Sequence, residues 1–414
     1  MEVKEASARY PANRYRQTEV GTIPEDWNVM RFGEIALPLG QRIDPRKSGV
    51  QDFCVELEHI GSATGSLFGS TNTDAQSSLK SVFRTGDVLF GKLRAYLRKY
   101  WRADRPGVCS TEIWVLSPIE PLFSSAYLFQ LVQTDKFAEA ASSSYGTHMP
   151  RSDWNVVKNY ALPLPPTKAE QDAIAEALSD ADALIESLGQ LLAKKRLIKQ
   201  GVIQELLCEK EGDVVRLLRE VSSLKGRIGW QGLKQIEFTS NKDEPFLITG
   251  MNFKDGAIRW NEVYHISEVR YEVAPEIQLR PQDVLMTKDG TIGKVLYIDT
   301  IPYPGKASLN SHLLLFRPIR DSYNPKYLYF QLGSWRFQDF IELSKSGTTF
   351  FGLSQAAVGN YPVLLPPMHE QIRIAAILSD MDAEIAALEE KLAKASAIKT
   401  GMMQELLTGR IRLI

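Results

Sequence analysis

Apolar residues recur at alternating spacings of four and three from Ile174 through Leu178, Ala181, Ile185 and Leu188 to Leu192. The same pattern returns 200 residues later through Ile374, Leu378, Met381, Ile385, Leu388 and Leu392. That period puts the apolar positions on one stripe of an α-helix, the seam of a coiled coil. Pro165-Pro166 and Pro366-Pro367 mark where each helix begins, because proline is excluded from helix interiors. Each helical pattern runs for about 40 residues, roughly 60 Å at about 1.5 Å per residue. Gly201 and Gly401 interrupt the two stretches at equivalent points. Glycine there costs roughly 1 kcal/mol relative to alanine, so its recurrence points to close packing or a bend, or to simple tolerance.

The likeness of the two stretches is an internal duplication. Glu170-Gln171 returns as Glu370-Gln371, Leu178-Ser179-Asp180 as Leu378-Ser379-Asp380, and Gln204-Glu205-Leu206-Leu207 as Gln404-Glu405-Leu406-Leu407. Such a repeat sets the architecture before any finer reading. Acidic residues fill the start of the first helix (Glu170, Asp172, Glu176, Asp180, Asp182, Glu186), and Lys194, Lys195, Arg196 and Lys199 fill its later part. The second helix follows the same trend, from Glu370, Asp380, Asp382 and Glu384 to Lys391, Lys394 and Lys399. Antiparallel pairing sets acid beside base, although the same polarity also complements each helix dipole.

The segments before the helices are repeated more faintly. Gly86-Asp87-Val88-Leu89 corresponds to Gln282-Asp283-Val284-Leu285, Tyr127-Leu128 to Tyr327-Leu328, and Asn159-Tyr160 to Asn360-Tyr361. Short β-rich runs such as Ile113-Trp114-Val115-Leu116 and Leu313-Leu314-Leu315-Phe316 lie between turn-prone stretches. The spans Tyr127 to Ala141 and Lys326 to Leu343 predict short amphipathic helices. The expected fold is α+β: two α/β-mixed domains in tandem, separated by two long antiparallel coiled-coil helices with pseudo-twofold internal duplication. The expected divisions are an arm over 1–19, a first module over 20–165, a helix over 166–211, a second module over 212–365 and a helix over 366–414.

Composition narrows the setting. With 414 residues, 44% of them hydrophobic, the chain has ample material for more than one packed core. No run approaches the eighteen or so apolar residues of a membrane span, and the charged first twenty residues lack the apolar stretch of a signal peptide. Three cysteines (Cys54, Cys109 and Cys208), far apart and odd in number, suit free thiols in a reducing cytoplasmic compartment. Net charge is −1, without the strong basic excess common in proteins that grip nucleic acid alone. Charge is patterned instead. Between Arg84 and Arg105, seven basic residues face only Asp87 and Asp104.

That basic stretch carries the candidate DNA chemistry: Lys92, Arg94, Arg98, Lys99, Arg102 and Arg105, interleaved with Tyr96, Tyr100 and Trp101. Lys and Arg neutralise phosphates and aromatic rings pack on sugar or base, or else the rings are core and the basic groups a wet face. In the second module Lys288, Thr291 and Lys294 flank a glycine turn of the same character. Thr147, His148 and Arg151, and Thr348 and Thr349, follow or lie within the repeated Gly-Thr element, as further DNA candidates or as ordinary turn chemistry. The run Gly86 to Lys92 nearly matches a phosphate-binding loop, but Leu93 stands where the magnesium-binding hydroxyl belongs. The five histidines show no metal-ligand spacing with the cysteines. The Pro-Pro pairs follow leucine, so the Asn/Asp-Pro-Pro-Tyr/Phe loop of an amino-methyltransferase is missing, and no nuclease carboxylate-lysine cluster stands out. A coiled-coil adaptor that binds only protein accounts for the helices but leaves two large basic-patched modules without a purpose.

Taken in order, these features resemble the specificity subunits of type I restriction-modification systems. The likeness rests on Ile23-Pro24-Glu25-Asp26-Trp27 ahead of the first module and on the mid-module Asp-Val-Leu segments (Asp87 to Lys92, Asp283 to Lys294). It rests equally on the closing Leu-Pro-Leu-Pro-Pro or Leu-Leu-Pro-Pro with Glu-Gln, and on the helix carrying Leu-Ser-Asp and Gln-Glu-Leu-Leu. The resemblance spans nearly the whole chain. It implies two target-recognition domains, each reading half of a split site in double-stranded DNA. The helix pair would act as spacer and docking surface through Ile174, Leu178, Ile185, Leu188 and Leu192 with Ile374, Leu378, Ile385, Leu388 and Leu392. It implies as partners two methyltransferase subunits and, in the full complex, restriction subunits. The chain itself would be non-catalytic and without cofactor, S-adenosylmethionine, ATP and Mg²⁺ belonging to the partners. The Gly-Thr neighbourhoods differ between modules (Gly146-Thr147-His148-Met149 against Gly347-Thr348-Thr349-Phe350), so their side-chain roles need not correspond.

Overall fold

A computed structural model describes residues 15–413 apart from 75, 120–122, 144–149, 228–231, 255 and 345–352. The chain forms two compact units, one from Met1–Gly189 with Glu390–Ile414 and the other from Gln190–Glu389. The long helices are Lys168–Leu206 and Met368–Leu406, each of 39 residues, and each begins in one unit and ends in the other.

In the first unit an antiparallel sheet has the strand order Ala36–Pro38, Ile113–Pro118, Val88–Gly91, Tyr100–Arg102. Its counterpart in the second unit runs Ser222–Lys225, Leu313–Pro318, Val284–Thr287, Val295–Tyr297. The registers coincide: Val88 faces Leu116 as Val284 faces Phe316, and Gly91 faces Ile113 as Thr287 faces Leu313. The repeated aspartate has a structural task here. Asp87 accepts the Arg84 amide at 2.7 Å and Asp283 the Arg280 amide at 2.8 Å, closing the same turn before the central strand.

The second sheet of each unit has diverged. In the first unit the order is Arg42–Ile43, Lys80–Phe83, Gly107–Ser110, Cys54–Val55, and in the second Phe238–Thr239, Tyr264–Ile266, Phe246–Ile248, Ala307–Leu309. One parallel pairing survives in both, Gly107–Ser110 with Cys54–Val55 and Ala307–Leu309 with Phe246–Ile248. The strands around it differ, which matches modules that share a scaffold and differ in what they carry.

The predicted single helices over 127–141 and 326–343 are each two helices: Ser125–Leu131 then Asp135–Ser142, and Pro325–Leu332 then Trp335–Ser344. The break has a local cause in the first unit. Thr134 takes extended backbone and its hydroxyl accepts the Phe137 amide, so it caps a new helix instead of continuing the old one. The repeated glutamine explains how the long helices are seated. Gln171 Oε1 accepts the Ser124 amide (3.0 Å) and its Nε2 donates to the Pro165 carbonyl. Gln371 does the same with Asn324 (2.9 Å) and Pro366 (2.8 Å). Ser124 and Asn324 are the caps of the short helices, so one buried side chain ties each long helix to its module.

The apolar stripe has two uses. Ile174 and Leu178 are buried in the first unit's core with Leu406 and Leu407, and Ile374 and Leu378 are buried in the second with Leu207, Tyr327 and Phe330. Burying such a side chain contributes roughly 1.5–3 kcal/mol, so these positions fasten helix to module. Further along the same stripe, Leu192 and Leu388 are buried while Ile185, Leu188, Ile385 and Leu392 are half-buried. Ion pairs fix the antiparallel direction. Asp182 meets Lys399 at 2.5 Å in the first unit, and Asp382 meets Lys199 in the second. Lys195–Glu384 and Arg196–Glu389, both 2.6 Å, continue the ladder in the second unit. Gly201 and Gly401 have nothing within 4 Å of where a Cβ would stand, and the helices pass through them, so tolerance is the reading that holds.

Candidate nucleic-acid interface

The basic stretch of the first module is a β-hairpin. Phe90 faces Tyr100, and the Gly91 amide donates to the Lys99 carbonyl, leaving residues 92–98 as the turn. In the second unit Met286 faces Val295, the Thr287 amide donates to the Lys294 carbonyl, and residues 288–293 form the turn. Lys92 and Lys288 therefore open equivalent turns, and Lys99 and Lys294 close them. The correspondence extends to the backbone. The Lys92 amide donates to Glu112 and its carbonyl accepts from Ser152; the Lys288 amide donates to His312 and its carbonyl accepts from Leu353.

Backbone conformation is shared too. Arg94 (φ 53°) and Arg98 (φ 53°) occupy the left-handed region, and Gly290 (φ 69°) and Gly293 (φ 84°) hold the matching places in the second unit. Glycine adopts this conformation freely, whereas for other L-residues it costs roughly 1–2 kcal/mol. Arg98 has compensation: its guanidinium donates to Asp135 at 2.6 Å and to the Gln133 carbonyl. Arg94 is exposed and its side chain makes no hydrogen bond or ion pair among the described residues.

The candidate side chains thus separate by what already occupies them. Lys99 donates to the Leu57 carbonyl at 2.6 Å, Arg102 to the Ser125 hydroxyl at 3.0 Å and Arg105 to Asp104 at 2.8 Å. Arg151 pairs with Glu112 at 2.8 Å, which brings it beside the Lys92 turn through the Leu93–Arg151 bridge. Lys92, Lys288 and Lys294 have no side-chain partner among the described residues, and Thr291 and Lys294 are exposed. Tyr100 and Trp101 are core residues, 3% and 6% exposed, so of the interleaved rings Tyr96 is the one presented to solvent. Thr147 and His148, and Thr348 and Thr349, lie outside the described residues. The neighbour that sequence reasoning missed is the pair of positions across from the lysines, Glu112 and His312, the latter 3.1 Å from Asp289. The repeated Lys could have led to them only once the register was known.

Two other features bear on chemistry. Burial pushes the Cys54 thiol up to about 11 and the Cys109 thiol higher still, and all three cysteines are free. Among the described residues, no group of three or more His, Cys, Asp or Glu is placed to hold a metal, and no helix is long and apolar enough to cross a membrane.

Two units built on one plan, each with a lysine-flanked hairpin at the same place in its sheet, make the chain a tandem duplication of one module. The family model for the type I restriction modification DNA specificity domain matches it twice, over residues 24–194 and 232–396. The chain belongs to that family. It is similar to the type I restriction enzyme MjaVIII specificity subunit of Methanocaldococcus jannaschii, with 22% identity over 437 residues covering 98% of this chain and 97% of the relative. The EcoDI specificity subunit of Escherichia coli is 25% identical over 207 residues, 47% of this chain and 46% of that one. Among solved structures, the S subunit of a type I restriction-modification system from M. genitalium superposes with a TM-score of 0.62 at 15% identity, covering 92% of this chain and 96% of that chain. A chain from a type I R-M system, solved in work on its complex assembly and conformational transition, gives 0.58 at 22% identity over 94% and 99%. These structural likenesses establish the fold.

Proposed function

We propose that this chain is the non-catalytic subunit that gives a type I restriction-modification assembly its DNA specificity, each unit reading one half of a bipartite target in double-stranded DNA. One observation carries the reading: the same lysine-opened hairpin is presented once per unit, in the same register, with different residues in its turn. A split target needs two such readers about one helical turn apart, roughly 34 Å along B-DNA. The helix pair sets the unread gap between them and docks two methyltransferase subunits, through which restriction subunits join. Supporting that surface, Leu184, Leu191, Leu197 and Ile198 on the first helix and Ile372 and Ile398 on the second are exposed apolar residues. A net charge of −1 agrees with partners supplying part of the phosphate contact. S-adenosylmethionine, ATP and Mg²⁺ belong to those partners, and the setting is the cytoplasm, where host DNA is modified.

The test is to express the chain with the methyltransferase of its own system and map methylated positions in host DNA. One split motif with a fixed gap, absent when the chain is omitted, is the expected result. Methylation at the same sites without the chain would leave a protein-only adaptor as the better account.

A further inference from the structure

Resting on that DNA-reading role, we propose that the hairpins divide their contacts: Lys92 and Lys288 hold the phosphate backbone at corresponding points of the two half-sites, while Arg94 reads a guanine in the half-site of the first unit. The argument starts from what the units share. On that role the two units take different half-sites, and a contact built identically into both cannot be what distinguishes one half-site from the other. Lys92 and Lys288 are the same residue, at the same register, with equivalent backbone bonds on both sides, and neither ammonium is taken by a partner among the described residues. A lysine is a compact point charge, suited to phosphate rather than to the planar edge of a base. The closing lysines do not qualify as a matched pair, because Lys99 is held on the Leu57 carbonyl while Lys294 is exposed.

What differs inside this common frame can discriminate. Arg94 and Gly290 share a left-handed backbone, so the hairpin itself does not require the arginine. The conformation favours glycine, and the Arg98 guanidinium is engaged by Asp135 and Gln133, whereas Arg94 is held only through its backbone, on Pro150 and Leu97, and its guanidinium has no partner among the described residues. An exposed, unengaged guanidinium kept at a place where the backbone disfavours it points to a ligand outside the chain. Its five fixed donors match guanine O6 and N7 in the major groove, and the second unit, with Gly290, lacks that contact.

Arg94→Gly tests the assignment without endangering the fold, since it installs the residue the other unit uses and relieves the backbone. In the complex with its methyltransferase, the expected result is a motif relaxed at one position of one half-site. Discrimination there falls roughly five- to 150-fold, with the other half-site and the gap unchanged. Lys92→Ala and Lys288→Ala are expected to keep the motif and weaken binding to every sequence, each making the dependence of log affinity on log salt shallower by about 0.9. An Arg94→Gly complex as strict as wild type at every position overturns the base contact, and a motif altered by either lysine variant overturns the phosphate assignment. If the unaltered complex itself methylates no split motif, the DNA-reading role fails, and these assignments with it.

Discussion

Glu170 and Glu370 are the same residue of the duplicated Glu-Gln motif, yet the structure gives them opposite weights. Glu170 is fully buried and takes the Arg412 guanidinium, whose Nη2 reaches Oε2 at 2.8 Å. Arg412 is itself 7% exposed, lies over the Trp27 ring and also bonds Asp26 at 3.0 Å. Burial disfavours its charge, but the hydrogen bonds to Glu170 and Asp26 outweigh that and raise its pKa. Removing one partner of a buried pair costs about 3–5 kcal/mol, because the other charge is left without compensation. Asp26 still faces Arg412, so Glu170→Gln belongs at the low end, about 3 kcal/mol. For a unit of about 210 residues that lowers the melting temperature by about 6–12 °C. Glu370 instead pairs with Arg373 three residues on; Glu370 is half-buried and Arg373 exposed, a solvent-accessible pair of the kind that adds little. Glu370→Gln is expected to leave the melt where it was. Calorimetry, with hydrogen exchange to assign each transition to its unit, measures both. Equal shifts for the two variants, or a larger one for Glu370→Gln, would refute the reasoning.

Two further outcomes follow from buried titratable groups. Burial raises Cys54 from 9.0 to about 11, and Tyr100 and Tyr361 from 10.0 to about 12, all acids that are neutral when protonated. Their contribution is complete below the unfolded values near 9 and 10 and is lost as pH rises towards 12, so the urea midpoint should fall steadily above pH 9. A midpoint flat from pH 8 to 11 contradicts this. Of the three thiols, exposed Cys208 should label quickly in the native chain and buried Cys54 and Cys109 only on unfolding, as mass spectrometry after alkylation would read; rapid native labelling of all three would be inconsistent with this packing.

The long helices were legible because a 3.5-residue apolar period has no competing explanation over so many turns, and their direction because the charges alternate in blocks. The Asp182–Lys399 and Lys199–Asp382 pairs are that charge pattern realised. The Glu-Gln repeat was visible, but not the reason for it. Gln171 and Gln371 act through Ser124 and Asn324, 47 residues away, and only the fold brings those amides to them. Periodicity merged the paired short helices, since the interruption lies in the backbone of Thr134 and the apolar positions run on across it. The second sheets escaped the pattern because several of their strands are only two or three residues long. For the hairpins, the sequence placed Lys92, Arg94, Lys288 and Lys294 in basic turns. It could not show that Lys99 is already bound, or that Arg94 stands where the other unit has Gly290.

Helix length tests most directly the proposal that rigid helices hold two DNA readers a set distance apart. One heptad added to each helix, between Leu188 and Lys199 and between Asp382 and Lys394, keeps the seam in phase and lengthens the spacer by about 10 Å at about 1.5 Å per residue. At roughly 3.4 Å per base pair, mapping methylated sites for the lengthened chain with its methyltransferase should return both half-sites unchanged and a gap wider by about three base pairs. The same half-sites at the original gap would contradict the account.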